Sequence, residues 1–300
     1  MSSSPILDNE AANSEDHQTE TIEEGLDPVS FTYLKANMYR EHQNVLEKVK
    51  FRQQQGDDWR YLDLGCGPGN FLKEILLPRL RPCKCVVAVD SSRQMLSYAQ
   101  QHHDAHEVFF ELLDIEHGNP NEIVAKYGQF DRVYAFLIFH FVKDLNQAYR
   151  NVYQLLRQGG ECLAVNFMRT GISDVWHQIY EKEAWKEYVP NPVEVLSKRF
   201  CFNEEVPHKA LVTDEMNAVA AAGLDIVDCH TYTSQWIFPT ADAWLESYIG
   251  FFKLDQRVPE ERRREFWDAL KIALLEEMKK SSDGVSLKYD IMVTHMQRPY

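Results

Sequence analysis

Short apolar runs alternate with amphipathic stretches along most of this 300-residue chain. Apolar runs of four to eight residues bounded by turn residues are typical of buried strands, and apolar residues three or four positions apart are typical of helices. Strands that alternate with helices form a mostly parallel sheet with helices on both faces. The pattern predicts an α/β fold with seven strands, the last antiparallel, near residues 60–64, 85–89, 107–113, 130–136, 161–167, 225–232 and 288–297.

Capping and breaking residues mark the ends of several predicted helices. The stretches 91–94 and 144–147 have the spacing of a capping box, so helices are expected to begin there. Thr213 is predicted to cap a helix that stops at Gly223. Pro259 suits the first turn of a long helix, and the first helix of the fold is predicted over about 33–53.

Two aromatic-rich stretches, 171–208 and 236–280, do not fit the alternation. We expect them to form a helical substrate cap over the carboxyl edge of the sheet, inserted into a single domain that covers residues 31–300. Their aromatic side chains are open to two interpretations: they attach the cap to the core, or they line an apolar substrate chamber.

Charge and composition narrow the possible partners. The net charge is −14, but residues 1–30 hold eight acidic residues and no Lys or Arg, which predicts a disordered acidic tail. The remaining residues are also negative on balance, which argues against a nucleic-acid partner, and no stretch approaches the roughly 18 to 20 apolar residues of a membrane span. The six cysteines lack paired C-x-x-C spacing, so we expect reduced thiols, a cytoplasmic location and no metal site.

The segment Tyr61–Phe71, YLDLGCGPGNF, joins a predicted strand to a predicted helix. Glycines at alternate positions allow a sharp turn and a close approach of backbone to ligand, and the N–H groups of this turn are expected to be free to bind it. A carboxylate at the strand tip disfavours a pyrophosphate and favours an ammonium group. The turn therefore predicts a nucleotide-like cofactor that ends in an amino acid, bound by Asp63, Gly65, Cys66, Gly67 and Gly69.

A second carboxylate supports this choice of cofactor. Asp90 ends the second predicted strand, where it can accept hydrogen bonds from both ribose hydroxyls. The dinucleotide fingerprint has an acid at a similar distance, but Asn70 stands where its third glycine would be. The two motifs resemble those of class I S-adenosylmethionine-dependent methyltransferases, which implies a Rossmann-like fold and S-adenosyl-L-methionine as cofactor. Another Rossmann-type binder is the alternative.

Further cofactor contacts are expected at the carboxyl ends of the next strands. Ser91 and Met95 follow the ribose acid and are predicted to border the adenine. Asp114 is a candidate acceptor for the adenine amino group, with Ile115 against the ring; alternatively, Asp114 caps a helix or lies in a surface loop. Phe136, which leaves strand four, is expected near the methionine portion of the cofactor.

His140 is the one titratable side chain in the loop 136–142, which follows strand four. Three roles are open to it: general base for a phenol or amine, hydrogen-bond donor to a substrate carboxylate, or structural ring between Phe139 and Phe141. A carboxylate substrate is ionised at neutral pH, so it needs only desolvation and alignment with the transferred methyl group.

A closer resemblance is to the juvenile hormone acid methyltransferases of arthropods, which esterify farnesoic acid or juvenile hormone acid. It spans about residues 31–298. It implies a small apolar carboxylic acid as substrate, bound by a polar side chain of the first helix and by an aromatic residue beside the histidine. The resemblance is carried by His140 and by the segments Tyr33–Asn37, Asp144–Leu156, Ile172–Trp176 and Trp185–Tyr188.

The chain differs from that family at both substrate-binding positions. Arg40 stands where a glutamine is expected, and Phe141 stands where a tryptophan is expected. Arg40 would clamp a carboxylate if it points inward; otherwise it is a solvated charge on an ion-rich helix. Arg40 and His140 are the candidate catalytic residues. The alternatives are an N- or phenol O-methyltransferase of another small molecule and a non-catalytic cofactor-binding scaffold.

Overall fold

The computed structural model of the chain describes residues 28–29, 35–103, 105–197, 207–281 and 284–300. The predicted acidic tail lies almost entirely outside these residues. Within them, no helix is long and apolar enough to cross a membrane. The five cysteines that they contain are free thiols.

The strands form one sheet, and their bounds are β1 Arg60–Leu64, β2 Cys85–Asp90, β3 Val108–Leu112, β4 Phe130–Phe136, β5 Leu156–Thr170, β6 Asp225–Phe238, β7 Lys279–Ser281 and β8 Gly284–Gln297. Their order is β3-β2-β1-β4-β5-β8-β6, and the short β7 pairs only with β8. β1 to β5 are parallel, whereas β8 is antiparallel to β5 and β6. The prediction of a mostly parallel sheet with an antiparallel last strand is confirmed, with β7 as an eighth strand.

Helices cover both faces of the sheet. Their bounds are α1 Lys35–Lys48, α2 Leu77–Leu80 after a π-helical turn Leu72–Leu76, α3 Arg93–His102, α4 Pro120–Tyr127, α5 Leu145–Leu155, α6 Gly171–Tyr180, α7 Pro192–Val195, α8 His208–Ala221, α9 Ala241–Phe252 and, after a 3-10 turn Glu260–Arg262, α10 Arg263–Glu277. One core cluster joins α1 to α3 with the cap helices α6, α9 and α10, and the other joins α4, α5 and α8. β4 is buried along its whole length because it lies between these two layers.

The capping predictions held for α5 and failed in part elsewhere. Asp144 accepts a hydrogen bond from the Gln147 N–H at 3.0 Å and caps α5 as predicted. α3 begins one residue later than predicted, because Ser92 is the residue that accepts from the Met95 N–H. Thr213 caps no helix: it lies inside α8, where its hydroxyl donates to a backbone carbonyl one turn earlier.

β5 and β6 are longer than the apolar runs that predicted them. β6 pairs with β8 along its full length and β5 pairs with it from Glu161 to Thr170, and this pairing extends both strands past the point where apolar residues stop. The first three residues of the predicted second cap insertion, 236 to 238, belong to β6. In the cap, α10 packs against both α6 and α9.

Candidate functional site

The glycine turn follows β1 and is held in the left-handed region of backbone space. The φ angles of Gly65, Gly67 and Gly69 are 71°, 54° and 78°. A Cβ atom on Gly65 would overlap the side chain of Ile138, so this glycine allows the loop after β4 to pack closely. A Cβ atom on Gly67 would meet no atom within 4 Å. Gly67 therefore leaves the open side of the turn accessible to a ligand.

The backbone N–H groups of the turn correct one prediction. The N–H groups of Gly65 and Cys66 donate to the Val89 carbonyl at 2.8 and 2.9 Å, that of Gly67 donates to Asp90 Oδ2 at 2.8 Å, and that of Gly69 donates to the Cys66 carbonyl at 3.1 Å. These groups tie the turn to β2 and to itself. The expectation that they are free to bind a ligand is wrong, because these hydrogen bonds hold the shape of the turn.

Asp63, near the carboxyl end of β1, is suited to a cationic group. It is 3% exposed, and its Oδ2 atom has no hydrogen-bond partner among the described residues. Burial, with a smaller contribution from the neighbouring carboxylate of Asp90, raises the pKa of Asp63 to about 7. A buried carboxylate without a partner is costly, and the ammonium group of S-adenosyl-L-methionine would satisfy it.

Asp90 joins the glycine turn to the next helix. Its Oδ1 accepts from the Ser92 N–H at 2.9 Å, and its Oδ2 accepts from the Gly67 N–H at 2.8 Å. Burial raises the pKa of Asp90, and these two backbone hydrogen bonds oppose that shift. Each carboxylate oxygen keeps a second lone pair, so the predicted bond to a ribose hydroxyl is compatible with this geometry.

The predicted adenine-binding residues lie at the ends of β2 and β3. Asp114 Oδ1 accepts from the N–H groups of the two residues at 116 and 117, at 2.7 and 3.1 Å, which supports its role in shaping a turn. Ile115 and Met95 are buried, and Ser91 is half-buried. A contact of these four side chains with adenine stays a prediction.

The first helix supplies two polar side chains that the sequence reasoning missed. The His42 ring lies 4.7 Å from that of Phe71 and 4.6 Å from that of Phe136, and the Tyr39 ring lies 5.7 Å from that of Phe71. Burial lowers the pKa of His42 to about 3, so its imidazole is neutral. One signal was present in the sequence: His42 lies four residues after Met38, on the buried face of α1.

The loop after β4 is fixed by its backbone. Leu137 has a φ of 60°, which is unusual for a residue other than glycine, and its N–H donates to the Val165 carbonyl at 2.7 Å. The Phe139 N–H donates to Asn166 Oδ1 at 2.9 Å. The sequence reasoning did not identify Asn166, which lies fully buried on β5 and holds this loop in place.

His140 lies in that loop and is 1% exposed. Its ring centroid is 4.2 Å from that of Phe141 and 5.0 Å from that of Phe167. Its backbone carbonyl accepts a short hydrogen bond from the Ser197 hydroxyl. The structure therefore places His140 against aromatic rings, although one of them belongs to β5 and not to the loop.

Aromatic residues continue from Phe167 into the cap. We call this group the cap cluster, and it consists of Phe167, Trp236, Phe238, Trp244, Tyr248 and Tyr289. Trp236 lies 5.6 Å from Phe167 and 5.9 Å from Trp244, measured between ring centroids. Every member is nearly fully buried, which supports a role in attaching the cap to the core. A substrate chamber lined by these rings stays a prediction.

Arg40 lies on the exposed side of α1. Its guanidinium donates to the Gln235 carbonyl on β6 at 2.8 Å and to Asn37 Oδ1 at 3.4 Å. This geometry supports the interpretation of Arg40 as a surface charge that also holds α1 to the sheet. A clamp on a substrate carboxylate stays a prediction without support from these contacts.

Neighbouring side chains of α1 strengthen its attachment to the sheet. Glu41 is buried and accepts hydrogen bonds from the hydroxyls of Tyr232, Ser234 and Tyr289 at 2.5, 2.6 and 2.9 Å. The Asn37 amide both donates to and accepts from the backbone of Ile237, at 3.2 Å each way. Polar contacts therefore fix the helix that carries His42 and Tyr39.

Comparisons with known proteins match the part of the chain that carries the glycine turn and the loop after β4. A family model described as a methyltransferase domain matches residues 62–162, from β1 into β5. A juvenile hormone acid O-methyltransferase of Bombyx mori is 27% identical over 258 residues, which cover 84% of this chain and 87% of that protein. A juvenile hormone acid O-methyltransferase of Drosophila melanogaster is 30% identical over 164 residues, covering 52% and 54%. A malonyl-[acyl-carrier protein] O-methyltransferase of Bacillus cereus is 25% identical over 165 residues, covering 55% and 58%.

Solved structures share the fold. The YcgJ protein of Bacillus subtilis superposes with a TM-score of 0.53 at 14% identity, covering 88% of this chain and 99% of that chain. Phosphoethanolamine N-methyltransferase 2 of Haemonchus contortus, in complex with S-adenosyl-L-methionine, gives a TM-score of 0.51 at 15% identity, covering 91% and 58%. At such identities the likeness concerns the fold alone.

Proposed function

We propose that this chain, a class I S-adenosylmethionine-dependent methyltransferase, methylates the carboxylate of a small lipophilic acid resembling farnesoic acid or juvenile hormone acid. S-Adenosyl-L-methionine is the cofactor and supplies an electrophilic methyl group. The observation that carries the proposal is the alignment with the Bombyx mori juvenile hormone acid enzyme over 84% of this chain. The malonyl-[acyl-carrier protein] enzyme of Bacillus cereus also has an acid acceptor, which supports a carboxylate more broadly than one particular acid.

The contacts of His140 support an acceptor with an apolar body and a polar end. Its ring touches Phe167, and Phe167 lies 5.6 Å from Trp236 and 5.3 Å from Tyr289 between ring centroids. One aromatic side chain therefore separates the histidine from the rest of the cap cluster. An acid whose carboxylate lies at His140 would have its hydrocarbon chain beside these rings.

Methylation of a carboxylate requires no acid–base catalysis by the protein. An ionised carboxylate oxygen attacks the methyl carbon, the sulfur–methyl bond breaks, and the sulfur keeps the electron pair, so no proton is transferred. The protein must align the two groups and exclude water, which is worth roughly 7 to 11 kcal/mol in favourable cases. We therefore assign His140 as a hydrogen-bond donor that orients the carboxylate.

A product assay tests this function. The full chain is incubated with S-adenosyl-L-methionine and either farnesoic acid, saturated fatty acids of similar length or malonyl-[acyl-carrier protein], and release of S-adenosylhomocysteine is measured. The methyl ester of each lipophilic acid is the matched control, because it lacks only the free carboxylate. We expect turnover with a lipophilic acid and none with its ester. Cofactor binding without turnover on any acid would overturn the proposed substrate class.

Two variants of His140 separate a donor from a base. Gln keeps a side-chain N–H but cannot remove a proton, so His140→Gln should retain most activity, whereas His140→Ala should lose it. A general base would instead make both variants inactive. It would also give a rate that rises with pH as the imidazole loses its proton, and would move the proposal to a phenol or amine acceptor.

A further inference from the structure

Two side chains of α1 have polar atoms that are buried without hydrogen-bond partners among the described residues, next to the glycine turn. His42 is 2% exposed, and neither of its ring nitrogens has a hydrogen-bond partner among the residues that the structure describes. The same holds for the hydroxyl of Tyr39, which is also buried. Leaving a buried donor unpaired is unfavourable, so these groups point to a ligand that completes them.

The two side chains converge on one place. Tyr39 and His42 are three residues apart on α1 and therefore share a helix face. Both rings contact Phe71, which lies two residues after Gly69, and His42 also contacts Phe136 at the end of β4. Both rings therefore lie beside the helix that follows the glycine turn, and His42 also lies at the carboxyl end of β4, where the amino-acid end of the cofactor is expected.

The rest of this region offers a carboxylate poor hydrogen bonding. The N–H groups of Gly65, Cys66, Gly67 and Gly69 already donate within the protein. Asp63 is buried and Asp90 is partly buried, and both are acceptors that would repel a second anion. The carboxylate of the methionine moiety therefore needs donors from another element, and α1 has two that are unused.

We propose that Tyr39 and His42 bind the methionine carboxylate of S-adenosyl-L-methionine, by hydrogen bonds from the phenol O–H and from an imidazole N–H. The ammonium of the same moiety then faces Asp63. The carboxylate thus meets hydrogen-bond donors, and the ammonium meets an acceptor. Burial keeps His42 neutral. Neutral donors suit this place, because a fixed positive charge would also repel the nearby sulfonium and ammonium groups.

Binding of two cofactors that differ by one group tests the assignment. Full-length protein is titrated calorimetrically with S-adenosyl-L-methionine and with its decarboxylated form, which keeps the adenosine, sulfonium and ammonium groups. Tyr39→Phe keeps the ring and removes only the hydroxyl, and His42→Phe keeps an aromatic ring but removes both nitrogens. We expect each variant to bind S-adenosyl-L-methionine about tenfold or more weakly, as for a hydrogen bond to a charged group, and to bind the decarboxylated form within twofold of wild type.

Controls make the outcomes distinct. Tyr153→Phe removes a hydroxyl on α5, on the other face of the sheet, and should change neither affinity. An equal loss of affinity for both cofactors would mean that the two residues only support the fold, and unchanged affinities would place the carboxylate elsewhere; either result overturns the assignment. Tyr39→Phe also serves as the second variant if His42→Phe folds poorly. The test uses no acceptor, so it is independent of whether the substrate is a lipophilic acid.

Discussion

The cofactor region and the acceptor region of the site are built in different ways. Around the glycine turn, backbone hydrogen bonds and the carboxylates of Asp63 and Asp90 set the geometry, as in the contacts of Asp90 with Gly67 and Ser92. The backbone of the loop after β4 is also held by hydrogen bonds, but the side chain of His140 packs among aromatic rings, with Phe141 and Phe167 at 4.2 and 5.0 Å between ring centroids. Hydrogen bonds are directional, whereas apolar packing is not. The cofactor region should therefore tolerate little change, and the acceptor region should accept substitutions that alter the substrate.

Alanine substitutions at two glycines of the same turn should give the largest difference in stability. Gly65→Ala combines a left-handed φ with overlap of Ile138, so it should lower the free energy of unfolding by about 3 to 5 kcal/mol. Gly67→Ala has a similar φ but open space around the added carbon, and about 1 to 2 kcal/mol is expected. Urea denaturation measures both. Calorimetry should show that Gly67→Ala weakens cofactor binding more than its small loss of stability explains. Equal losses of stability in Gly65→Ala and Gly67→Ala would contradict this account.

The pH dependence of stability isolates Asp63. Its folded pKa of about 7 lies above the ordinary value of 3.8, so the cofactor-free folded state binds the proton more tightly than the unfolded state does. The free energy of unfolding should therefore fall as the pH rises from about 4 to 7, by up to about 4 kcal/mol for this group. Asp63→Asn should remove that fall and weaken cofactor binding. Denaturation at pH 5, 6, 7 and 8 measures it.

Asp225→Asn is the matched control for that series, because its carboxylate is exposed and lies at the start of β6, away from the glycine turn. It should leave the slope of stability against pH unchanged. If Asp63→Asn and the wild type gave parallel slopes, Asp63 would not titrate in this range. The expected pairing of Asp63 with an ammonium group would then lose its energetic basis.

Substitutions at two adjacent residues of α1, the buried Glu41 and the exposed Arg40, should give the smallest difference in stability. Glu41→Ala leaves three hydroxyl groups without their acceptor and should lower the free energy of unfolding by about 2 to 4 kcal/mol. Arg40→Ala loses an exposed contact with the Gln235 carbonyl, so a change below about 1 kcal/mol and near-normal turnover are expected. Thermal melts and the product assay measure these effects. A tenfold loss of turnover in Arg40→Ala, at normal stability, would instead support the carboxylate clamp.

The cofactor region could be predicted because its parts are close in sequence. The turn, Asp63 and Asp90 lie within about thirty residues, and their spacing alone fixes how strand, turn and helix follow one another. The spacing could not predict which acceptors the N–H groups of the turn bind, because these acceptors depend on the register of β1 against β2.

The acceptor region could be predicted only in outline. The sequence indicated a helical cap and a histidine loop, but the ring partner of His140 on β5 and the loop brace Asn166 come from another strand. The unpaired donors of α1 were missed because a histidine on an apolar helix face gives no sign of what it faces. Contacts between residues two hundred positions apart, such as Asn37 with Ile237, have no local signal at all.

The attachment of α1 also closes part of an open strand edge. β6 is the outermost strand beside β8, so alternate residues present backbone groups that another chain could pair with. The Asn37 amide occupies both backbone groups of Ile237, and Arg40 occupies the carbonyl of Gln235. The helix thereby imitates a neighbouring strand at the end of β6. Detaching α1 would both remove the donors beside the cofactor and create an edge able to add strands from other molecules, so loss of cofactor binding and a tendency to aggregate should arise together.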